Sequence, residues 1–257
     1  MYEKKTDYSL RSAELVIDLL DLLLSDDSAK INLPYVSEKL HIHRNKAFRL
    51  LSTLEKRGMV ERDEWNGCYR VGLTAVEFSQ RILNKTNIIV HAHPVMEELA
   101  RKHEEAVYMT VLKGEEVMFL DMVDCDQPVK AAPLVGQRFP LFSTAAGKVI
   151  KALESRDLLE KLFTKKSRKS DFQELVSLES ELEDIRKKGV AVDCGGLGEG
   201  IISVAVAVKD YTGKVVGAIT LLGPSFRMLA SRLENEIIPS MLEGAELLSG
   251  KFGYARA

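Results

Sequence analysis

From residue 10 to residue 24, "LRSAELVIDLLDLLL" repeats apolar side chains at three- and four-residue intervals and then yields to the polar run "SDDSAK". That spacing predicts an amphipathic helix, with Ser9 as its N-cap. "LPYVSEKLHI" predicts a second, short helix: Pro34 stands in its first turn, where a missing N–H costs nothing, and Val36 and Leu40 face one core. A third helix runs from Arg44 to about Arg57, with Ala47, Leu50, Leu51 and Leu54 as its buried stripe and Gly58 as its stop. "MVERDEWNGCYRVG" then alternates on both sides of Asn66-Gly67, which predicts a hairpin. Three helices followed by a two-stranded wing make a winged helix-turn-helix over residues 1–72, with the third helix as the reader of a major groove.

"LTAVEFSQRILNKTNI" predicts a linker helix over 73–88, with Leu73, Val76, Phe78 and Leu83 as an apolar face able to serve as a dimer contact. From 89 to 257 the pattern becomes mixed. "PVMEELARKHEEA" is an amphipathic helix, and "VYMTVLKGEEVMFLDMV" is two strands about Lys113-Gly114. "PVKAAPLVGQRFP" is extended, "STAAGKVIKAL" is a helix capped by Ser143 or Thr144, and "SLESELEDIRKKG" is an exposed helix closed by Gly189. "VAVDCGGLGEG" leads from a strand into a glycine-rich loop that reads as mobile. "IISVAVAV" and "VVGAITLLG" are two long apolar strands, and residues 226–250 form a closing helix. The fold class is α+β, an antiparallel sheet with flanking helices beside the winged domain.

Composition sharpens this picture where charge is uneven. The net charge is −2, which by itself gives no attraction to nucleic acid. From Lys39 to Arg70, however, there are eight Lys/Arg against four Asp/Glu, whereas residues 89–257 hold 22 against 25, so the positive potential is local to the small domain. Three dispersed cysteines, Cys68, Cys125 and Cys194, form neither a disulfide framework nor a metal motif and suggest a reducing compartment. The start "MYEKKTDYSLRS" lacks a signal-peptide core, and apolar runs such as "VVGAITLL" are too short to span a bilayer, so the expectation is a cytoplasmic protein with no membrane partner.

Removing the buried stripe of the third helix leaves Arg44, Asn45, Lys46 and Arg49 pointing outward together. Cations and amides can fix a phosphate register, forked guanidinium groups read guanine edges, and the Asn45 amide suits an adenine edge. Arg62 and Arg70, flanking the wing, suit phosphate or the minor groove. A charged helix face is commonly only solvated; here the neighbouring helix and wing favour double-stranded operator DNA as the partner. Lys56 and Arg57 at the far end have a sufficient reason in the helix dipole.

These segments resemble the IclR family of transcriptional regulators over nearly the whole chain. The resemblance is carried by "LPYVSEKLHIHRNKAFRLLSTLEKRGMVER", "FPLFSTAAGKVIKAL", Asp193 before the glycine-rich loop, and "VVGAITLLGP" in that order. It implies a ligand-responsive DNA-binding protein, dimeric or tetrameric, with a GAF-like effector-binding domain. Two departures matter: Asn45-Lys46 stand where members often carry a Ser-Thr pair, and His41 where glycine is usual, so no operator sequence carries over.

For the effector, Thr144, Ala145, Ala146 and Gly147 open a helix whose small residues let backbone N–H groups approach a carboxylate; close helix–sheet packing explains the same residues. Across the pocket the resemblance points to Asp193, Ser203 and Thr220, with Ser203 where several relatives have Cys and Leu222 where a second hydroxyl can occur. Fewer polar groups imply a bulkier organic acid than a two- or three-carbon keto acid, an aromatic carboxylate being the favoured reading. Local bonding of the two hydroxyls and a capping role for Asp193 are the structural alternatives.

The motifs call for no cofactor and no metal. His41-x-His43 and His91-x-His93 lack further ligands at suitable spacing, and "GGLGEG" lacks the lysine of a P-loop. The basic run "KKSRK", residues 165–169, reads as a solvated loop. An enzyme domain using Asp193 or Ser203, with a DNA-binding appendage, is the alternative function. No catalytic triad can be assembled, since His91, His93 and His103 all fall near the first helix of the larger domain. The reading is therefore a regulator, most simply a repressor, and not an enzyme.

Overall fold

The computed structural model describes residues 10–25, 31–85, 87–154 and 169–255. The chain divides into two compact units, 1–85 and 86–257, a division that falls inside the expected linker.

In the first unit, α1 (Arg11–Ser25), α2 (Leu33–Lys39) and α3 (Arg44–Lys56) precede β1 (Val60–Arg62), β2 (Tyr69–Val71) and α4 (Leu73–Lys85). The apolar stripes meet in one core: Leu19 and Leu23 of α1, Val36 of α2, and Ala47, Leu51 and Leu54 of α3, joined by Ile31, Val60 and Tyr69. Leu50 and Leu40 pack at its margin, partly buried. Ser9, the expected first cap, lies outside the described residues. Asn32 caps α2, its side chain accepting the Tyr35 N–H at 3.0 Å, and Pro34 stands in the first turn as expected. Gly58 ends α3 at φ 68, and a Cβ there would lie 2.4 Å from Thr74 Oγ1, so both backbone and space require glycine.

Two turns depart from simple expectation. His41, between α2 and α3, adopts φ 51, a left-handed conformation that costs a non-glycine residue about 1–2 kcal/mol; the Ser37 hydroxyl, donating to the Ile42 carbonyl at 2.7 Å, helps to hold it. His41→Gly is expected to raise the stability of the first unit by about 0.5–1 kcal/mol, net of the added freedom of the unfolded chain. A thermal melt in which the variant unfolds earlier would contradict this. The wing is not the two-residue turn that Asn66-Gly67 suggests. That turn needs φ above zero at both residues, and only Gly67 has it, at 69°. Instead the Asp63 side chain accepts the N–H groups of Trp65 (2.8 Å) and Asn66 (3.4 Å), while the Asn66 side chain accepts that of Cys68 (2.8 Å). These side-chain bonds replace backbone turn bonds and set a longer loop.

The second unit contains a six-stranded antiparallel sheet in the order β5-β4-β3-β8-β7-β6. Its elements are α5 (Asn87–His103), β3 (Ala106–Lys113), β4 (Glu116–Val123), β5 (Arg138–Pro140) and α6 (Ala145–Glu154). They continue as α7 (Lys169–Lys188), β6 (Val190–Cys194), β7 (Ile201–Lys209), β8 (Val215–Pro224) and α8 (Ile238–Lys251). Alternation along the strands makes two cores. Val107, Met109, Val204, Val206, Ile219 and Leu221 meet α5 and α8; Ala106, Tyr108, Ala205, Ala207, Ala218 and Leu222 meet α6 and the Leu182–Ile185 stretch of α7.

Several element limits differ from the pattern-based expectation. α5 starts seven residues before Pro94 and keeps that exposed proline inside it. The segment expected only to be extended ends in β5, which pairs with Glu116–Met118. The closing helix is broken: a short turn Ala230–Arg232 and a π-helical turn Leu233–Ile237 precede α8. The glycine-rich segment is a bonded turn rather than a loose loop, with Gly195 N–H to the Ile201 carbonyl at 2.9 Å and Gly198 N–H to the Gly195 carbonyl at 3.1 Å. Residues 165–168 of the basic run lie outside the described residues, and Lys169 opens α7.

Candidate functional site

α3 is held by its apolar stripe, and the geometry of that stripe decides what faces solvent. With Ala47, Leu51 and Leu54 inward, Arg44, Asn45, Lys46 and Arg49 are all exposed. Phe48, half exposed beside them, was not anticipated, since at that position periodicity does not separate core from rim; its ring suits a thymine methyl. The first turn of α3 holds no acid, and His43 provides no side-chain cap. Arg44 and Lys46 therefore stand at the positive end of the helix dipole, where cations destabilise. Helix stability does not account for them there, whereas Lys56 sits in the last turn, where the dipole does.

The wing treats its two arginines differently. β1 pairs Glu61 with Arg70 and Arg62 with Tyr69. Arg70 is thereby drawn into an exposed fork with Glu61, Nε at 3.2 Å and Nη2 at 3.1 Å from Oε2, so part of its charge is already met. Arg62 lies over the Tyr69 ring, 5.9 Å from its centroid, and remains exposed.

In the second unit the register aligns Asp193, Ser203, Leu222 and Ala106 in one cross-strand row, and Ala205, Thr220 and Tyr108 in the next. Directly opposed residues share a face, so these side chains lie on the side covered by α6. Thr144 caps α6, its Oγ1 accepting the Gly147 N–H at 3.1 Å, while Ser143 donates to the Pro140 carbonyl at 2.9 Å. The expected seat of amides is thus reduced to Ala145 and Ala146. Gly147 has a packing reason, since a Cβ would fall 1.8 Å from the Leu141 oxygen. Gly196 abuts the Ser143 carbonyl in the same way, which brings the glycine-rich turn to the start of α6.

Lys148 completes this site and was missed. Its ammonium bridges Asp193 and Glu181, each at 2.9 Å; burial alone would lower its pKa, but the hydrogen bonds it donates to Asp193 and Glu181 outweigh that and raise it. Asp193 also accepts the Gly196 N–H at 2.9 Å, so it does cap the turn. Tyr108 was missed too, although alternation in "VYMTVLK" placed it on this face. It packs edge-on to Phe119, with ring centroids 5.2 Å apart, and burial pushes its phenol up to about 12. Its hydroxyl lies against the backbone of Leu134 without closing a well-formed hydrogen bond.

Ser203 is 1% exposed, and its hydroxyl has no partner among the described residues. Thr220 differs, its Oγ1 lying 3.2 Å from that of Thr110. Two unpartnered buried hydroxyls beside an ion-paired lysine mark a polar site inside an apolar core. A cleft of about 680 Å³ elsewhere is walled by Glu97, Glu98, Glu104, Asp124 and Asp126; it is an open acidic surface with no unsatisfied buried group, and the buried rows are the stronger candidate. Among the described residues no cluster of His, Cys, Asp or Glu could hold a metal ion. His93 bonds Asp121 at 2.8 Å, and His91 meets Phe252 edge to face. Among the described residues no helix is long and apolar enough to cross a membrane.

Residues 80–250 match the family model described as the bacterial transcriptional regulator IclR C-terminal domain, and residues 12–64 match the IclR helix-turn-helix domain. The regulator KdgR of Escherichia coli K12 is 26% identical over 256 residues, covering 98% of this chain and 96% of that protein. The repressor AllR of Klebsiella pneumoniae is 26% identical over 78% of this chain and 75% of its own length. Among solved structures, IclR of Thermotoga maritima is 25% identical with a TM-score of 0.75, covering 95% of this chain and 99% of that one. An IclR homologue from Microbacterium hydrocarbonoxydans, complexed with 4-hydroxybenzoate, shares the fold at 18% identity and a TM-score of 0.78, covering 94% and 99%.

Proposed function

Because this chain belongs to the IclR family of bacterial transcriptional regulators, we propose that it represses transcription by seating α3 in the major groove of operator DNA and lets go when a small organic acid binds in its second unit. One observation carries the DNA half: Arg44 and Lys46 are exposed at the helix end where their charge is least welcome, which makes sense where a phosphate or base edge meets them. Arg44, Asn45, Lys46 and Arg49 are the reading face, and Arg62 is an anchor on phosphate. Two copies of the chain present two such helices to paired half-sites. The exposed Leu73, Val76 and Phe78 of α4 supply an apolar surface for a dimer, two of which can pair as a tetramer. That AllR is named a repressor agrees with this direction of control.

The effector half rests on the buried rows beneath α6. A ligand carboxylate would take the amides of Ala145 and Ala146 and compete with Asp193 for Lys148. The ring of an aromatic acid would lie among Leu222, Tyr108 and Phe119, with its polar substituents on Ser203, Thr220 and the Tyr108 hydroxyl. A neighbour of the same fold carries 4-hydroxybenzoate, an acid of this class. The test is a thermal-shift screen of aromatic acids, two- and three-carbon keto acids and the matching amides on the full chain. Aromatic acids are expected to raise the melting temperature, since ligand at a hundred times its Kd contributes about 2.7 kcal/mol. Preference for a small keto acid, or equal response to acid and amide, would count against the reading.

A further inference from the structure

Trp65 is the chain's one tryptophan, and 97% of it is exposed at the tip of the wing. The loop that carries it is built, not slack. Asp63 receives the Trp65 N–H at 2.8 Å, Asn66 receives that of Cys68 at 2.8 Å, and the Asp63 N–H closes on the Cys68 carbonyl at 2.8 Å. Three bonds thus fix an indole in water, although burying so large an apolar group is favourable wherever a core is available. A large aromatic on an ordered, projecting loop is the feature that partner surfaces use.

The wing's charge narrows what the partner contact can be. Its two arginines face three carboxylates, Glu61, Asp63 and Glu64, and Arg70 is already forked to Glu61. Attraction to phosphate is therefore weak across the wing, with Arg62 as its loose cation. Arg62 serves a phosphate from β1, whereas the contact that the Trp65 side chain itself can make is apolar. β1 shares its core with α3 through Val60, Leu51 and Leu54, so the wing and the reading helix belong to one compact unit and would approach a duplex together. A wedge of this kind unstacks or props a base step in the minor groove, most easily at flexible pyrimidine–purine steps.

We propose that Trp65 is an uncharged DNA contact, its indole lying against deoxyribose and base edges in the minor groove flanking the segment read by α3. The proposal rests on the DNA-binding reading above. Its test uses the full chain and a dye-labelled duplex covering the DNA upstream of the chain's own start codon. Dye anisotropy reports binding, and indole emission reports the wing alone. On saturation the emission is expected to be quenched and shielded from acrylamide. Trp65→Ala is expected to weaken binding about tenfold, the loss of one stacked aromatic, without changing the slope of affinity against salt, because no phosphate charge is removed. Trp65→Phe should recover most of the loss. All three proteins should melt alike, since the side chain is exposed. Binding with unaltered emission and acrylamide access, or an alanine variant of undiminished affinity, overturns the proposal and leaves the α3 reading standing. An emission change that follows protein concentration without DNA assigns the indole to a second copy of the chain and overturns it as well. No binding by the native chain at low or high salt removes both.

Discussion

Arg44→Ala combined with Arg49→Ala is expected to weaken binding to the upstream duplex roughly a hundredfold or more, since each forked base contact is worth about 1–3 kcal/mol. The slope of log affinity against log salt should fall by about one for each of the two cations that sits on phosphate. The folded chain should not suffer. Arg44 opposes the helix dipole, so removing it is expected to leave the melting temperature unchanged or to raise stability by a few tenths of a kcal/mol. This pairing of gained or constant stability with lost affinity separates a reading face from a structural one. Lys56→Ala, at the opposite end of α3, is the control: it should cost a little stability and little affinity. A double variant binding within threefold of the native chain in an anisotropy titration would remove α3 as the reader.

What could be read from the sequence divides along the distance between interacting residues. The face of α3 was legible because a 3.6-residue period leaves no choice: once Ala47, Leu51 and Leu54 are inward, Arg44, Asn45, Lys46 and Arg49 are outward. The wing was legible as a hairpin but not in its pairing. A two-residue turn at Asn66-Gly67 would set Arg70 opposite Asp63; the loop fixed by the Asp63 and Asn66 side chains sets it opposite Glu61. Because the slip preserves parity, each residue keeps its face and only its partner changes. That is enough to turn an apparently free arginine into half of an ion pair. His41 was legible as an anomaly, since glycine is usual there, and its φ of 51° gives the physical content.

In the second unit Ser203, Thr220 and Leu222, to which the family resemblance pointed, share one face of β7 and β8, a grouping that strand period, being a local property, allows. Lys148 escaped because its meaning lies in Glu181 and Asp193, 33 and 45 residues away. No local pattern announces which carboxylate a helical lysine will meet. The same limit hid Glu105, the most buried carboxylate among the described residues, which carries the next expectation.

Glu105→Ala is expected to destabilise the second unit by about 3 kcal/mol, the low end for breaking a buried ion pair. Glu105 is 1% exposed and accepts Arg227 Nε at 2.7 Å, Arg227 Nη2 at 2.8 Å and Arg232 Nη1 at 3.3 Å. The two guanidinium groups also hold backbone: Arg227 donates to the Val129 carbonyl at 2.8 Å, and Arg232 to the carbonyls of Arg227 and His103. One carboxylate thus pins the end of α5, the loop before β5 and the turn after β8, while Gly223 leaves it room, a Cβ there falling 2.9 Å from Glu105 Cδ. Losing it strands two cations. Their side chains are 19% and 24% exposed, so water recovers part of the cost, which is why the low end is expected. Glu105→Gln keeps the shape and an acceptor and should cost less than alanine. For a unit of this size the alanine loss corresponds to a melting temperature lower by roughly 6–12 °C. Far-UV circular dichroism follows the whole chain, whereas indole emission follows the first unit, where the one tryptophan lies. The dichroism transition should move and the emission of Trp65 at low temperature should not; a shift below about 2 °C would show that the arginines find other partners and that the network contributes little.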